Sequence, residues 1–288
     1  MVELIGVKHN KYRIENKENE DVKLLKILDD IFIEKRGYVV KLPPAGSSVV
    51  CCMSGGGDSV ANIFILLNEF KYNVYPFFIN RGQSAYGWEK NAVEHYDDIF
   101  SARFPWRYHR TLEIKVDTPA KEYKDDLREV KKVMADKEFS NHISYPARNS
   151  IIFLTGMEYA YSLRKNGAIA NTLFSSHLAS DSSFHCSQTW QRIMNLEMCH
   201  ILHDWSFQFI SLPIETAFGN YFDKDIFIKY CQENNFDLTQ TRTCVKNTKT
   251  QCGTCPCCWD RRRSFLEAGI EDKTEYSAPY PEKPGAYY

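Results

Sequence analysis

The chain has no surplus of charge of either sign. In 288 residues, 36 lysines and arginines stand against 37 aspartates and glutamates, a net charge of −1. Proteins that coat nucleic acid or anionic membranes carry a basic surplus, so no nucleic-acid partner is expected beyond a local basic patch. No apolar run approaches the roughly 20 residues of a bilayer-spanning helix, and residues 1–10 lack a basic-then-apolar leader. No membrane association and a cytoplasmic location are therefore expected. Internal repeats are absent. The 43% hydrophobic and 14% aromatic content supplies a packed interior, which excludes wholesale disorder.

At about 150 residues per domain the length implies one large domain with small additions. Residues 1–44 read as an N-terminal appendage: Val22, Leu24, Leu25, Leu28, Ile31 and Phe32 recur at helical spacing before Gly37, a short run follows over 38–42, and Pro43 and Pro44 open a linker. From residue 45 to 240 apolar runs of strand and helix type alternate. Strands are expected at 48–53, 74–79, 108–114, 168–174 and 207–212. Helices are expected at 60–70, 88–100, 120–139, 150–163, 187–202 and 225–233. This order predicts an α/β fold, a doubly wound parallel sheet with helices on both faces. Residues 241–276 form a cysteine-rich element, and 277–288 a proline- and tyrosine-rich tail read as an extended arm or a mobile segment.

The most informative hexapeptide is Ser54-Gly55-Gly56-Gly57-Asp58-Ser59, between the first expected strand and the helix after it. Three glycines let backbone amides converge without Cβ obstruction, and the helix adds the positive end of its dipole. A pyrophosphate-sized anion fits such a turn. Ser54 and Ser59 add hydroxyl donors, and Asp58 can cap the helix or approach Mg²⁺. The terminal lysine of a Walker-type loop is missing, which disfavours ordinary γ-phosphoryl transfer. The plain alternative is a flexible glycine turn.

Ten cysteines are present, and five of them lie within residues 244–258. That crowding, in a chain without a secretion leader, favours a metal over disulfides. Cys244, Cys252, Cys255 and Cys258 can close a tetrahedron around Zn²⁺ at about 2.3 Å per bond, with an iron–sulfur cluster as the lesser alternative. Cys257 is a spare thiol or a substitute for Cys258. Cys51, Cys52, Cys186, Cys199 and Cys231 sit among apolar neighbours and read as small buried hydrophobes.

The glycine turn and the segment 244–276, with Gly253-Thr254-Cys255, Phe265, Glu267-Ala268-Gly269 and Thr274-Glu275-Tyr276, together resemble the 7-cyano-7-deazaguanine synthases of the PP-loop ATP pyrophosphatases, whose fold is adenine nucleotide alpha hydrolase-like. Gly82-Gln83 with Glu89, then Pro146-Ala147-Arg148-Asn149, then Lys224 follow in the order of that family. The resemblance spans roughly residues 49–276. It implies that ATP, with Mg²⁺, adenylates the carboxylate of 7-carboxy-7-deazaguanine and releases pyrophosphate, and that ammonia then captures the acyl adenylate on the way to a nitrile. Attaching AMP makes the carboxylate oxygen a leaving group, so the enzyme's task is to stabilise charge on departing pyrophosphate.

By that resemblance residues 54–59, Gln83, Arg148 and Lys224 bind ATP and pyrophosphate, with Asp58, Arg148 and Lys224 catalytic, and the protein is a homodimer. Without it, Arg148 reads as a surface salt-bridge residue, Lys224 as a solvated helix-entry charge, and Gln83 and Glu89 as ordinary polar positions. The arginines at 261–263 read as residues that keep the cysteine element soluble rather than as phosphate ligands.

Two features depart from the family. Where it presents a base-holding loop of asparagine, aspartate, glycine, tyrosine, proline, aspartate, cysteine and arginine, residues 175–186 here read Ser-Ser-His-Leu-Ala-Ser-Asp-Ser-Ser-Phe-His-Cys. Asp181, Phe184 and Cys186 are the candidates left to hold the base, and His185 reads as a hydrogen-bonded, non-catalytic histidine. The second departure is the N-terminal segment. Relatives of these synthases also occur in anti-phage (CBASS) operons, where the reaction stops at an amide and an amine of a partner protein replaces ammonia. That specialised role is carried as one expectation, and a tRNA-thiolation enzyme and a zinc-ribbon adaptor with an inactive loop as two others.

Overall fold

A computed structural model describes residues 13–117 and 147–282, with positions 120, 122, 126, 127 and 129 between them. The helix expected over 120–139, Pro146 and the last six residues of the tail lie outside the described residues, except for those isolated positions.

Five parallel strands form one sheet in the order β3-β2-β1-β4-β5: β1 is Ser48–Cys52, β2 Asn73–Asn80, β3 Leu112–Lys115, β4 Thr172–Ser175 and β5 Gln208–Ser211. The α/β doubly wound sheet read from the sequence is the fold observed. β3 is shorter than expected because Tyr108 contributes only an isolated bridge to Val74. Strands buried on both faces read as near-continuous apolar runs, which is why the run near Cys51 and that from Val74 to Ile79 were legible.

Helices cover both faces. On one lie α2 (Gly57–Asn68), α3 (Tyr86–Arg103), α6 (Lys224–Glu233) and α7 (Pro256–Ala268); on the other lie α1 (Val22–Arg36), α4 (Arg148–Ser162) and α5 (Gln188–Leu202). β1 shows the division residue by residue: Val49 and Cys51 join the first core, Val50 the second. Helix α4 approaches the sheet closely at Gly156, where an added Cβ would stand 2.5 Å from Leu173 and from Phe77.

Helix α1, in the segment expected to be an appendage, packs against α5. Phe32 is fully buried in the second core, and Arg36 donates to the carbonyls of Trp205 and Phe207 beside the β5 edge. Asp29 accepts from Arg192 at 2.7 Å, and Arg192 forks onto Glu215; neither side chain of that second pair is exposed to solvent. A charge pair this deep requires every lone pair and proton to be engaged, and Gln188 and the amide of Ala217 supply further bonds to Glu215.

β1 is the strand at which connectivity reverses, with β2 on one side and β4 on the other. In open α/β sheets a ligand crevice lies there, outside the carboxyl ends of the strands. The turn after β1 and the loop after β4 flank it.

Candidate active site

The turn after β1 is built by its glycines and serines. Gly55 has φ +75°, a left-handed conformation that glycine adopts without strain, and an added Cβ would meet the carbonyl oxygen of Glu89 at 2.7 Å. Ser59 Oγ donates to the carbonyl of Gly56 at 3.0 Å and accepts from the amide of Ser54 at 3.1 Å. Its hydroxyl is buried and braces the turn, whereas Ser54 is exposed. Helix α2 starts at once, with Gly56 as its N-cap. Asp58 therefore lies in the first helical turn and does not cap the helix.

Lys224 is the first residue of α6. Asp223 accepts from its backbone amide at 2.8 Å and from Ser180 Oγ at 2.6 Å, which ties this helix start to the loop after β4. Lys224 Nζ lies 2.7 Å from Asp260 Oδ2 and 3.4 Å from Asp58 Oδ2, with only 13% of its side chain exposed. It is no solvated helix-entry charge. Burial opposes its ammonium, but the carboxylates of Asp58 and Asp260 more than offset this and hold it protonated above the usual lysine range. Burial pushes Asp58 above the usual carboxylate range against the pull of Lys224. Asp58 Oδ1 is buried and has no hydrogen-bond partner among the described residues. Gly57, Asp58, Lys224, Thr243, Arg261 and Phe265 line one recess.

Gln83, in the loop after β2, donates to Glu89 at 2.7 Å and to the carbonyl of Ile79. Burial raises the Glu89 carboxyl, and the Gln83 bond pulls it back down.

At the other flank, Arg148 opens α4 after Ala147, whose φ is +57°, and beside it Asn149 donates to the carbonyl of His185 at 3.0 Å and approaches Cys186 Sγ at 3.4 Å. Asp181 accepts from the amide of Leu178, and burial lifts its carboxyl to about 6; the charges of Asp58 and Lys224 also reach it. Phe184 is half exposed. Burial pushes the Cys186 thiol up, with the charge of Asp181 adding to it. Burial and the positive charge of Arg148 lower His185 to about 4. Its Nε2 is buried and has no hydrogen-bond partner among the described residues, where a hydrogen-bonded histidine was expected. His177 falls to about 3, chiefly through burial, with Ser175, Asn149 and Gln191 around its ring. Sequence reading passed over His177 because a lone histidine after a strand carries no spacing signal.

The sulfur atoms of Cys244, Cys252, Cys255 and Cys258 all lie within 4.8 Å of one another, and the four residues are buried. A tetrahedron with metal–sulfur bonds of about 2.3 Å has edges of about 3.8 Å; the Cys252–Cys258 and Cys244–Cys255 sulfur pairs stand at 3.9 and 4.0 Å. Four thiolates so placed can hold a metal, and Cys257 falls outside the set. Arg242 connects this loop to the glycine turn: its amide donates to the Gly55 carbonyl, while its guanidinium donates to the carbonyls of Cys244, Lys246 and Lys249. Arg261 is 2% exposed, paired with Asp272 and bonded to Thr241, Leu238 and Thr274. It holds the element together from within, so the expected solubilising role does not apply to it.

The family model described as "Queuosine biosynthesis protein QueC" matches residues 48–269. This chain belongs to the QueC family. Among the relatives of this QueC-family protein are proteins named 7-cyano-7-deazaguanine synthase from Acetivibrio thermocellus, Nautilia profundicola and Methanococcus maripaludis, with 28%, 27% and 24% identity. Each comparison covers 79% of this chain and 96–97% of the relative. The family and these relatives place the chain among enzymes. A solved structure titled as the U34-tRNA thiolase NcsA from Methanococcus maripaludis with its [4Fe-4S] cluster shares 14% identity at a TM-score of 0.35, over 75% of this chain and 66% of that one, a likeness too low to bear on chemistry. Among the described residues no helix is long and apolar enough to cross a membrane.

Proposed function

We propose that this QueC-family protein uses ATP to adenylate the carboxylate of 7-carboxy-7-deazaguanine or a close analogue, releasing pyrophosphate, and that an amine then captures the acyl adenylate. The observation that carries this reading is the position of Lys224. A buried ammonium stands beside the first turn of α2, between the glycine turn and the loop after β4, at the reversal point of the sheet. A phosphate chain seated at the turn meets the amides of residues 55–57 and the hydroxyl of Ser54; Lys224 faces the bond that breaks. Fixed donors of this kind are worth about 2.7–4 kcal/mol each in the transition state.

Asp58 Oδ1, buried and without a hydrogen-bond partner among the described residues, would hold a divalent cation such as Mg²⁺, which would supply positive charge to the leaving group. Arg148 adds a second fixed positive charge. In the loop after β4, Asp181, Phe184 and Cys186 would take the base: a carboxylate for ring N–H groups, an exposed aromatic face and a small apolar wall. The four-cysteine element holds Zn²⁺ in this reading, since a single ion fits sulfur atoms this close, and the ion's role is to fold residues 244–258.

The reading is tested by incubation with ATP, Mg²⁺ and 7-carboxy-7-deazaguanine, with either ammonia or an amine-bearing partner protein as acceptor. AMP, pyrophosphate and product mass are followed. Equal amounts of AMP and pyrophosphate are expected, and the product mass names the acceptor: a free nitrile or amide for ammonia, an acylated protein for a partner. Absence of AMP with both acceptors overturns it.

A further inference from the structure

Asp260 lies in the first turns of α7, two residues beyond the cysteine ligand candidate Cys258, and its carboxylate is shared between two cations. Oδ2 accepts from Lys224 Nζ at 2.7 Å, and Oδ1 accepts from Arg263, one turn further along α7, at 2.9 Å. Helix α7 is fixed at its start, with Cys255 as N-cap and Pro256 as first residue. The carboxylate is thus held by a rigid element, oriented by Arg263 and aimed at the lysine. Lys224 begins α6, and its four-carbon stem has no backbone constraint at the charged end; a lysine ammonium is a flexible point charge unless something fixes it. Asp58 reaches it at only 3.4 Å.

We propose that Asp260 is a positioning residue for Lys224: it pins the ammonium beside the phosphate turn, so that the four-cysteine element, through the first turns of α7, sets the geometry of the reacting site. This rests on the reading of Lys224 given above. The groups facing Lys224 are Asp58 from α2, Asp223 at its own helix start, Asp260 and Cys257 from α7, and Arg261 across the recess, with Asp181 beyond. Burial favours the neutral amine, and the carboxylates reverse that preference. Without Asp260 the ammonium keeps only the longer contact to Asp58, and its place beside the turn is no longer fixed.

The experiment compares the metal-loaded full-length parent with Asp260→Asn, Asp260→Ala and Asp260→Glu. Exchange of labelled pyrophosphate into ATP, with Mg²⁺ and 7-carboxy-7-deazaguanine present so that the acyl adenylate can form and revert, is measured alongside melting temperature and bound metal. Acetylation of Lys224 at one fixed pH, read by mass spectrometry, reports how firmly the ammonium is held without any turnover. Expected for Asp260→Asn and Asp260→Ala is a kcat for exchange lower on the order of 10- to 100-fold, with a smaller change in KM for ATP and parental metal content. Lys224 in Asp260→Asn, released from its partner, is acetylated faster than in the parent; Asp260→Glu recovers part of both. A parental kcat and acetylation rate in Asp260→Asn overturn the proposal, as does a loss of exchange that follows metal loss with the acetylation rate unchanged. If the parent itself exchanges no pyrophosphate, the adenylation reading falls, and the acetylation rate still decides whether Asp260 holds Lys224.

Discussion

The amide of Arg242 donates to the carbonyl oxygen of Gly55 across 2.7 Å, so the glycine turn after β1 and the loop of four cysteines share a backbone hydrogen bond. With Asp260 on Lys224, this gives two separate connections from the cysteine element to the phosphate turn. Disturbance of one motif reaches the other through bonds of ordinary length.

Gly55→Ala tests the turn. The residue sits at φ +75°, and its new Cβ would lie 2.7 Å from a backbone oxygen of α3, which cannot swing aside as a side chain would. Left-handed strain alone costs about 1–2 kcal/mol. Expected are a melting temperature lowered by several degrees and loss of ATP-dependent AMP release; unchanged release would show that the turn does not contact the nucleotide.

Cys255→Ser tests the cysteine element. Replacing one thiolate of four weakens metal binding, and the binding free energy is folding free energy for a loop that has little core of its own. Metal analysis of the parent should find zinc, with little retained in the variant, and denaturant unfolding should begin earlier. Visible absorbance from iron–sulfur charge transfer in the parent would instead assign an iron–sulfur cluster.

Glu215→Ala tests the buried pair beneath α1. Removing this carboxylate leaves the fully buried Arg192 with Asp29 as its remaining carboxylate partner and the fork of its guanidinium unmatched. Breaking such a pair costs about 3–5 kcal/mol, while replacing both partners with apolar residues of similar volume is often neutral. Urea unfolding should show the large loss in Glu215→Ala and recovery of much of it in Arg192→Met/Glu215→Leu. Equal stability of parent and single variant would contradict the pairing.

Asp181 gives a pH dependence of stability. Burial lifts its carboxyl to about 6 in the folded chain, from 3.8 when unfolded. The folded state therefore binds the proton more tightly. Its contribution turns unfavourable as pH rises through 3.8 and is fully unfavourable above about 6. Asp181→Asn, which removes the charge, should gain stability relative to the parent at pH 7.5 and lose that advantage at pH 3.5, in urea titrations at both values. An advantage independent of pH would place the Asp181 carboxyl near its ordinary range.

The alternation of apolar runs, the hexapeptide 54–59 and the spacing of four cysteines were readable because each is a local pattern: strand and helix periods, convergent amides and ligand geometry all operate within a few residues. The same local character hid Asp260 and the helix that carries it. Residues 256–268 hold five charged side chains among thirteen, and the buried face of α7 shows only when Arg261 is paired with Asp272 and Phe265 meets the core. Nor does any spacing rule pair Asp29, Arg192 and Glu215.

By itself the sequence determined the parallel α/β class, the place of the phosphate turn between a strand and a helix, and the four thiols able to close around one ion. It did so because hydrogen-bonded periods, glycine conformations and short chelate loops are properties of neighbouring residues. Only the tertiary structure decided that Lys224 is a buried ammonium between Asp58 and Asp260, that Arg261 is internal, and that His185 Nε2 has no partner among the described residues. Each depends on how distant elements meet, and charge, desolvation and hydrogen bonding take their values from that meeting.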